Sequence, residues 1–301
     1  MTETLVVVNP HAASGRAAKV WQELSPILIS QLKDPLIAIT QSPAELFNHI
    51  QDACASGIKQ LISIGGDGTN HAIVNTLIGK EFSSVNQPLI YGNVPVGTGR
   101  DWARMLEIPQ DMKKIPQWLA EANPMPVDVG QLVIDGGKTS HFLNIASAGI
   151  SGDIDQRVNE IKHRKPWTFL SQTLAALLHY DPKILRVEVD GKLWFEGKAF
   201  IVAVANGTTF GHGMKIAPSA SINDALFDVV LVEAMPLSEV LITLPRLYNG
   251  SHIYHPKCKM TRGEHVRIQS DSVIGLDLDG EASSAKEAQF EIIPQALQFL
   301  R

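Results

Sequence analysis

The residues best equipped for chemistry in this chain lie together at Gly65-Gly66-Asp67-Gly68-Thr69. The apolar run Leu61-Ile62-Ser63-Ile64 before them reads as a buried strand. Residues 70–78 after them carry Ile73, Val74, Leu77 and Ile78 on one helical face. The five residues are therefore a strand-to-helix turn. Glycine permits positive φ and leaves no Cβ between backbone amides and a ligand. Amides at such a turn, added to the helix dipole, make an anion site. Thr69 is placed to cap the helix or to donate its hydroxyl to a phosphate. Asp67 puts a carboxylate where an anion would bind, so a divalent cation or an ordered water must stand between the two. No lysine follows the loop, so it is not a Walker A motif and a metal must neutralise the charge. The plainer reading is a strand–turn–helix whose aspartate only caps.

Other stretches add to this. Val96-Gly97-Thr98-Gly99-Arg100-Asp101-Trp102 is a second glycine turn opening a helix. Arg100 opposes the dipole there, which a bound anion or outward solvation would each explain, whereas Asp101 suits the first turn by capping alone. Asn206-Gly207, Ala217-Pro218 and residues 223–228 follow later, and Asp224 or Asp228 could hold a hard cation with nearby carbonyls or belong to a polar turn. Leu276-Asp277-Leu278-Asp279-Gly280-Glu281 offers three carboxylates after a strand, either a surface loop or the source of a general base. His252, His255 and Cys258 have zinc-ligand types but lack a fourth ligand. Lys162-His163-Arg164-Lys165 precedes an apolar helix with an aromatic edge; a solvated helix start fits it better than an anionic membrane surface.

These residues need elements to hold them. Four apolar strands, at 5–8, 36–40, 61–64 and 89–96, alternate with helices in the first 125 residues. The second helix opens on Ser42-Pro43-Ala44-Glu45, a capping serine followed by proline and a carboxylate. The alternation indicates a parallel, doubly wound sheet, whose ligands bind at the carboxyl ends of the strands. Asn9, Thr40, Gly65–Thr69 and Gly97–Gly99 all fall there. From residue 126 the pattern becomes short strand-like runs with turns, including the hairpin signal Asp190-Gly191, and reads as mainly antiparallel β with helical interruptions near 166–180 and 236–249. Domains of 1–125 and 126–286 follow, with 287–301 packing back on the first.

Composition narrows the class. The chain has 301 residues, 45% of them hydrophobic and 19% charged, as expected of a soluble enzyme with ample core. A net charge of −5 argues against nucleic-acid binding, and the two cysteines, far apart, suit a reduced compartment. The start carries no basic n-region, and no apolar run approaches the roughly 20 residues of a bilayer span. A cytoplasmic protein is expected, with peripheral contact at a membrane surface left open; a homodimer is admitted but not fixed.

The motifs resemble the diacylglycerol-kinase-type lipid kinases, which include bacterial soluble lipid kinases, sphingosine kinases and ceramide kinases. The resemblance rests on Asn9-Pro10 with Ser14-Gly15, Gly65-Gly66-Asp67-Gly68-Thr69, Gly97-Thr98-Gly99 with Asp101 and Ala103-Arg104, and Asp279-Gly280-Glu281. It implies a Rossmann-like domain, of the NAD kinase and diacylglycerol kinase type, and a C-terminal β-sandwich that takes the lipid, with ATP in the cleft between them. Carried over, Asn9, Thr40, Gly65, Gly66, Asp67, Gly68, Thr69, Gly97, Thr98 and Gly99 would bind ATP. Asp67, backed by Asp101 and Asp128, would organise a magnesium–water network, and Asp224 with the carbonyls of Ser221 and Leu226 would take a structural magnesium. Glu281 would be the general base toward the hydroxyl of diacylglycerol or a similar lipid alcohol. The sequence departs from the family's usual pattern in four places: Asn70-His71-Ala72 stands for Leu-Asn-Glu, Arg100 for asparagine, Trp102 for phenylalanine, and Ala225 for glycine. A kinase of a soluble alcohol such as NAD, and a nucleotide- or lipid-binding regulator without turnover, are the alternatives.

Overall fold

The computed structural model describes residues 3–79, 89–97, 99–159 and 168–301. Thr98 and the basic stretch 162–165 therefore lie outside the described residues. The chain divides into two compact units, one of residues 1–127 with 295–301 and one of 128–294.

The first unit alternates strands and helices: β1 (Thr4–Val8), α1 (Arg16–Gln31), β2 (Leu36–Ile39), α2 (Pro43–Ala55), β3 (Gln60–Gly65), α3 (Asp67–Ile78), β4 (Ile90–Pro95), α4 (Asp101–Met105) and α5 (Ile115–Glu121). The strands are parallel, in the order β4-β3-β1-β2. Gln298 and Phe299, from the end of the chain, pair in parallel with Ile90 and Tyr91 and so complete the sheet beside β4. β1 and β3 are buried almost throughout, as the all-apolar runs require. α2 starts as its sequence indicates, with the Glu45 amide donating to Ser42 Oγ at 3.2 Å. α1 buries Val20, Leu24 and Leu28 but leaves Ile27 in solvent.

The core of this unit is not purely apolar. Tyr91, on β4, is fully buried and its hydroxyl donates to Asn70 Oδ1 at 2.5 Å, while Ser63 Oγ lies 2.9 Å from it. Asn93 Nδ2 donates to the same serine at 2.8 Å. Asn70, in the first turn of α3, thus serves as an acceptor within the core. Burial pushes the Tyr91 hydroxyl far above its usual range, so it remains a donor. Phe299 packs edge-on against Tyr91 and Trp102, with ring centres 4.9 and 5.4 Å away.

The second unit begins within β5 (Pro124–Ile134) and continues with β6 (Lys138–Phe142), β7 (Ile145–Gly149), α6 (Ile150–Asn159), α7 (Thr168–His179), β8 (Lys183–Val189), β9 (Lys192–Ala205), β10 (Phe227–Glu233), α8 (Leu237–Thr243), β11 (Cys258–Gly263), β12 (His265–Leu278) and β13 (Glu281–Leu300), whose last residues are those of the first unit's sheet. Neighbouring strands here are antiparallel, in the order β11-β10-β9-β7-β12-β13. β8 joins the first halves of β9 and β12, whereas β7 joins their second halves. The long strands therefore serve two layers of a sandwich. Asp190 and Gly191, with φ of 49° and 73°, make the two-residue turn that the Asp-Gly pair indicates. α6 is a helix within a stretch that the sequence indicates as mainly β. No helix among the described residues is long and apolar enough to cross a membrane.

The sandwich core centres on Phe142, stacked on Phe227 at 5.8 Å and edge-on to Phe290 at 6.3 Å. Gly130 lies directly opposite Phe142 on β5, and a Cβ there would come within 2.2 Å of the ring. Gly130→Ala should therefore lower the unfolding free energy by about 3 kcal/mol through overpacking, measured by urea denaturation; an unchanged midpoint would show that the aromatic core yields.

Candidate functional site

In the first unit the carboxyl ends of β1 to β4 are tied to one another by backbone bonds. The amides of Asn9, Thr40 and Val96 donate to the carbonyls of Ile64, Val8 and Gly65, at 3.2, 2.9 and 2.9 Å. Asn9 Nδ2 donates to Thr69 Oγ1 at 3.0 Å, so two residues sixty positions apart share one site. Thr69 does not cap the helix. The N-cap is Gly66, no side chain caps it, and Asp67 is the first helical residue. The Thr69 and Asn70 amides donate to the Gly66 carbonyl at 3.0 and 3.1 Å, and the helix start, with its positive dipole end, lacks a side-chain cap. Thr40 is buried and turns its hydroxyl to the Val8 carbonyl at 3.4 Å.

Positive φ is not the reason for these glycines. Gly65, Gly66, Gly68, Gly97 and Gly99 are all outside that region. Close approach is the reason: a Cβ on Gly65 would lie 2.6 Å from the Thr69 side chain, and one on Gly97 would lie 3.1 Å from Gly66 Cα. A Cβ on Gly99 would fall 2.7 Å from Asp67 Oδ2. The two glycine turns are therefore packed against each other with the Asp67 carboxylate over the second. Oxygen from a carboxylate beside bare backbone is a donor set that suits a hard cation such as magnesium.

Arg100 takes the left-handed conformation, φ 56°, and folds its Nε back onto the Gly97 carbonyl at 2.7 Å. Neither a pure anion ligand nor a solvated side chain describes it. Burial first, and then the nearby Arg16, work against its charge, while Asp67 supports it. Arg16, the first residue of α1, is a cation that the sequence reading did not single out. Its position at a helix start was the available signal, the same one that marked Arg100. Asp101 is buried and pairs with Arg104, Oδ1 to Nη1 at 2.6 Å.

The second unit places its candidates differently. Asp128 is fully buried, and its Oδ2 accepts from the Ala225 amide at 2.7 Å. Ala225 holds φ 61°, a left-handed position where glycine would be unstrained. Asp224 is paired with Arg262, and its other oxygen accepts from the Leu226 amide at 3.3 Å. Ser221 Oγ donates to Asn223 Oδ1 at 3.1 Å. Both oxygens of Asp224 are thus engaged and a guanidinium already supplies the positive charge, so this set does not fit a bound magnesium.

Of the three terminal carboxylates, two are structural. Asp277 Oδ1 accepts from the Gly280 amide at 2.8 Å. Asp279 accepts from the amides of Leu143, Asn144 and Ile145 at 2.7, 3.1 and 3.0 Å. Glu281, first residue of β13, is exposed, and its side chain makes no hydrogen bond or ion pair to the described residues. Asn206 Nδ2 donates to the Leu143 and Asp128 carbonyls at 2.6 and 2.9 Å. His252 is buried against the Ile216 carbonyl at 3.1 Å, and His255 faces Glu239 at 3.2 Å.

An uncapped helix start with a carboxylate at its first residue, on the carboxyl edge of a parallel sheet, is an arrangement suited to a phosphate with a cation. The comparisons give the family. Residues 3–132 match the diacylglycerol kinase catalytic domain, and residues 144–301 match the YegS C-terminal NAD kinase beta sandwich-like domain. The diacylglycerol kinase of Bacillus subtilis (strain 168) is 30% identical over 251 residues, 80% of this chain and 77% of that protein. A protein of Enterobacter sp. (strain 638) named "Probable lipid kinase YegS-like" is 28% identical over 98% of this chain and 94% of its own. The crystal structure of a diacylglycerol kinase from Bacillus anthracis str. Sterne has the same fold, with a TM-score of 0.73 at 20% identity, covering 99% of this chain and 96% of that one. The chain belongs to the diacylglycerol kinase family. It is accordingly a phosphotransferase with a lipid alcohol acceptor, and membership of a kinase family brings the use of ATP.

The tight fit of Gly65 to Thr69 gives a direct test. Gly65→Ala should displace Thr69, break its bond from Asn9, and reduce the ATP-induced rise in melting temperature by at least half, while the nucleotide-free protein loses about 1–3 kcal/mol. A full ATP-induced rise in this variant would remove the turn from the nucleotide site.

Proposed function

We propose that this chain transfers the γ-phosphate of ATP to the hydroxyl of diacylglycerol or a closely similar lipid alcohol. The observation that carries the proposal is the pairing of the two glycine turns around Asp67, next to the uncapped start of α3. In this reading the first unit binds ATP through Asn9, Thr69, the backbone of Gly65 to Gly68, and the Gly97–Gly99 turn, with Arg16 and Arg100 adding positive charge near the phosphates. Asp67 would hold magnesium directly or through water, and the ion would neutralise charge on the transferring group. Asp101, fixed by Arg104, buttresses the same turn from the start of α4.

Glu281 acts as the general base. Its carboxylate takes the proton of the acceptor hydroxyl as that oxygen attacks the γ-phosphorus. The bond from phosphorus to the bridging oxygen breaks, and ADP carries the electron pair away. The amides that Asp277 and Asp279 hold favour Glu281 over them for this role.

A lipid rather than a soluble acceptor is supported by a groove of about 520 Å³ in the second unit, lined by Leu177, Tyr180, Phe200, Met235 and Leu237 with Lys198 and Lys257 among its lining. Its apolar side chains suit acyl chains.

With labelled ATP, magnesium and lipid alcohols in mixed micelles, wild type should form phosphorylated lipid. Glu281→Ala and Asp67→Ala should each reduce the rate by at least about a hundredfold. Transfer to no lipid alcohol, with ATP still raising the melting temperature, would favour a regulator or a soluble acceptor. Leu237→Glu adds a charge to the groove at a helix start that tolerates it. It should cut lipid turnover about tenfold, roughly 1.4 kcal/mol, and leave the ATP-induced thermal shift unchanged. Normal turnover in that variant would take the groove out of lipid recognition.

A further inference from the structure

The carboxylates of Asp224 and Asp228 form one cluster at the start of β10, and the resemblance reads this place as a magnesium site. The structure fills it with a side chain. Arg262, on β11, lies directly opposite Asp228 in the strand register. Its Nε donates to Asp228 Oδ2 at 3.1 Å and its Nη2 contacts Asp224 Oδ2. The guanidinium edge thus joins the two carboxylates, as its planar fork allows. Asp228 has a side-chain exposure of 1%, so its charge must be compensated within the fold. Among the described residues Arg262 is the one cation within ion-pair distance of it. The remaining oxygens are also engaged, Asp228 Oδ1 by Ser219 Oγ at 2.7 Å and Asp224 Oδ1 by the Leu226 amide at 3.3 Å.

We infer that Arg262 is a built-in replacement for a structural divalent cation, locking the 219–228 turn so that this fold needs no metal there. A magnesium ion at Asp224 would have to displace the guanidinium and then sit beside its charge. The turn it would organise is already held on its other side, where Asp128 takes the Ala225 amide and donates its own amide to the Ile222 carbonyl at 2.7 Å. Arg262 is thereby a positioning residue for Asp128 and Asn206, whichever alcohol is phosphorylated. Removing its charge should convert the cluster into a true cation site, because two carboxylates would then face each other uncompensated.

The test uses the full chain without nucleotide, with two readouts independent of turnover: melting temperature in EDTA and in magnesium, and the number of Mn2+ ions bound tightly, by electron paramagnetic resonance. Wild type should melt at the same temperature in both buffers. Arg262→Ala should melt several degrees lower in EDTA, recover in magnesium, and bind one more Mn2+ than wild type. Arg262→Ala with Asp224→Asn should lose both the recovery and the added ion. Arg262→Gln, which keeps length and donors without charge, should behave as Arg262→Ala and serves if the latter folds poorly. Wild-type melting that falls in EDTA while Asp224→Asn is unaffected would overturn the inference, because a metal would then hold the native turn. It would equally be overturned if the uncharged variants melt as wild type in EDTA, or fall without recovering in magnesium.

Discussion

The second unit depends on one carboxylate that does no chemistry. Asp279 sits at φ 52° in the Asp279-Gly280 turn and accepts three successive amides at the break between β6 and β7. Those amides have left one ladder and not yet entered the next, so an acceptor must be supplied from elsewhere. From this anchor the hydrogen bonds continue. The Asn144 carbonyl takes the amides of Asn206 and Gly207, and the Asn206 side chain reaches Leu143 and Asp128. Asp128 then holds the turn that Arg262 clamps from the other side. Two further Asp-Gly turns work in the same way. Asp135 takes the amides of Lys286 and Glu287, and Asp190 those of Glu264 and His265. An aspartate tolerates the left-handed backbone of such a turn and still offers two oxygens to a neighbouring strand. In this family member the device leaves Glu281, two residues beyond Asp279, with an unused carboxylate.

The first unit solves a different problem, bringing four strand ends together. It does so by removing side chains. Gly65 makes room for Thr69, and Gly97 and Gly99 make room for the preceding turn and its aspartate. The polar cluster of Ser63, Tyr91, Asn93 and Asn70 lies beneath, all buried and hydrogen-bonded to each other. A satisfied polar network of this kind has few alternative packings, and it fixes α3 through Asn70 in its first turn.

What could be read from the sequence was local. The apolar runs of β1 and β3, the Ser42 cap and the Asp190-Gly191 turn each depend on residues within a few positions, and each formed as written. The glycine turns were legible as turns that open helices, but the reason for the glycines was not. Close approach involves Gly66 and Gly97, thirty-one positions apart, and leaves no local trace. The break at residues 143–144 was hidden because Phe142 to Ala146 is apolar apart from Asn144, whereas Asp279 enforces it from far along the chain. α6 was hidden for a related reason: the small residues around it read as strand and turn, and its packing on β12 is tertiary. The pairing of Arg262 with Asp228 is set by strand register, which no spacing rule reveals.

Strand β13 has a consequence for how the chain is assembled. Its first residues belong to the second unit and its last, from Gln295, to the first. The second unit is therefore an insertion, threaded between the body of the first and the strand that closes it. During synthesis the parallel sheet stays one strand short until the whole sandwich has left the ribosome, with β4 an open edge until Gln298 and Phe299 arrive. Folding of the first unit is thus gated by completion of the second, and loss of residues 295–301 would leave the sandwich finished and the parallel sheet one strand short.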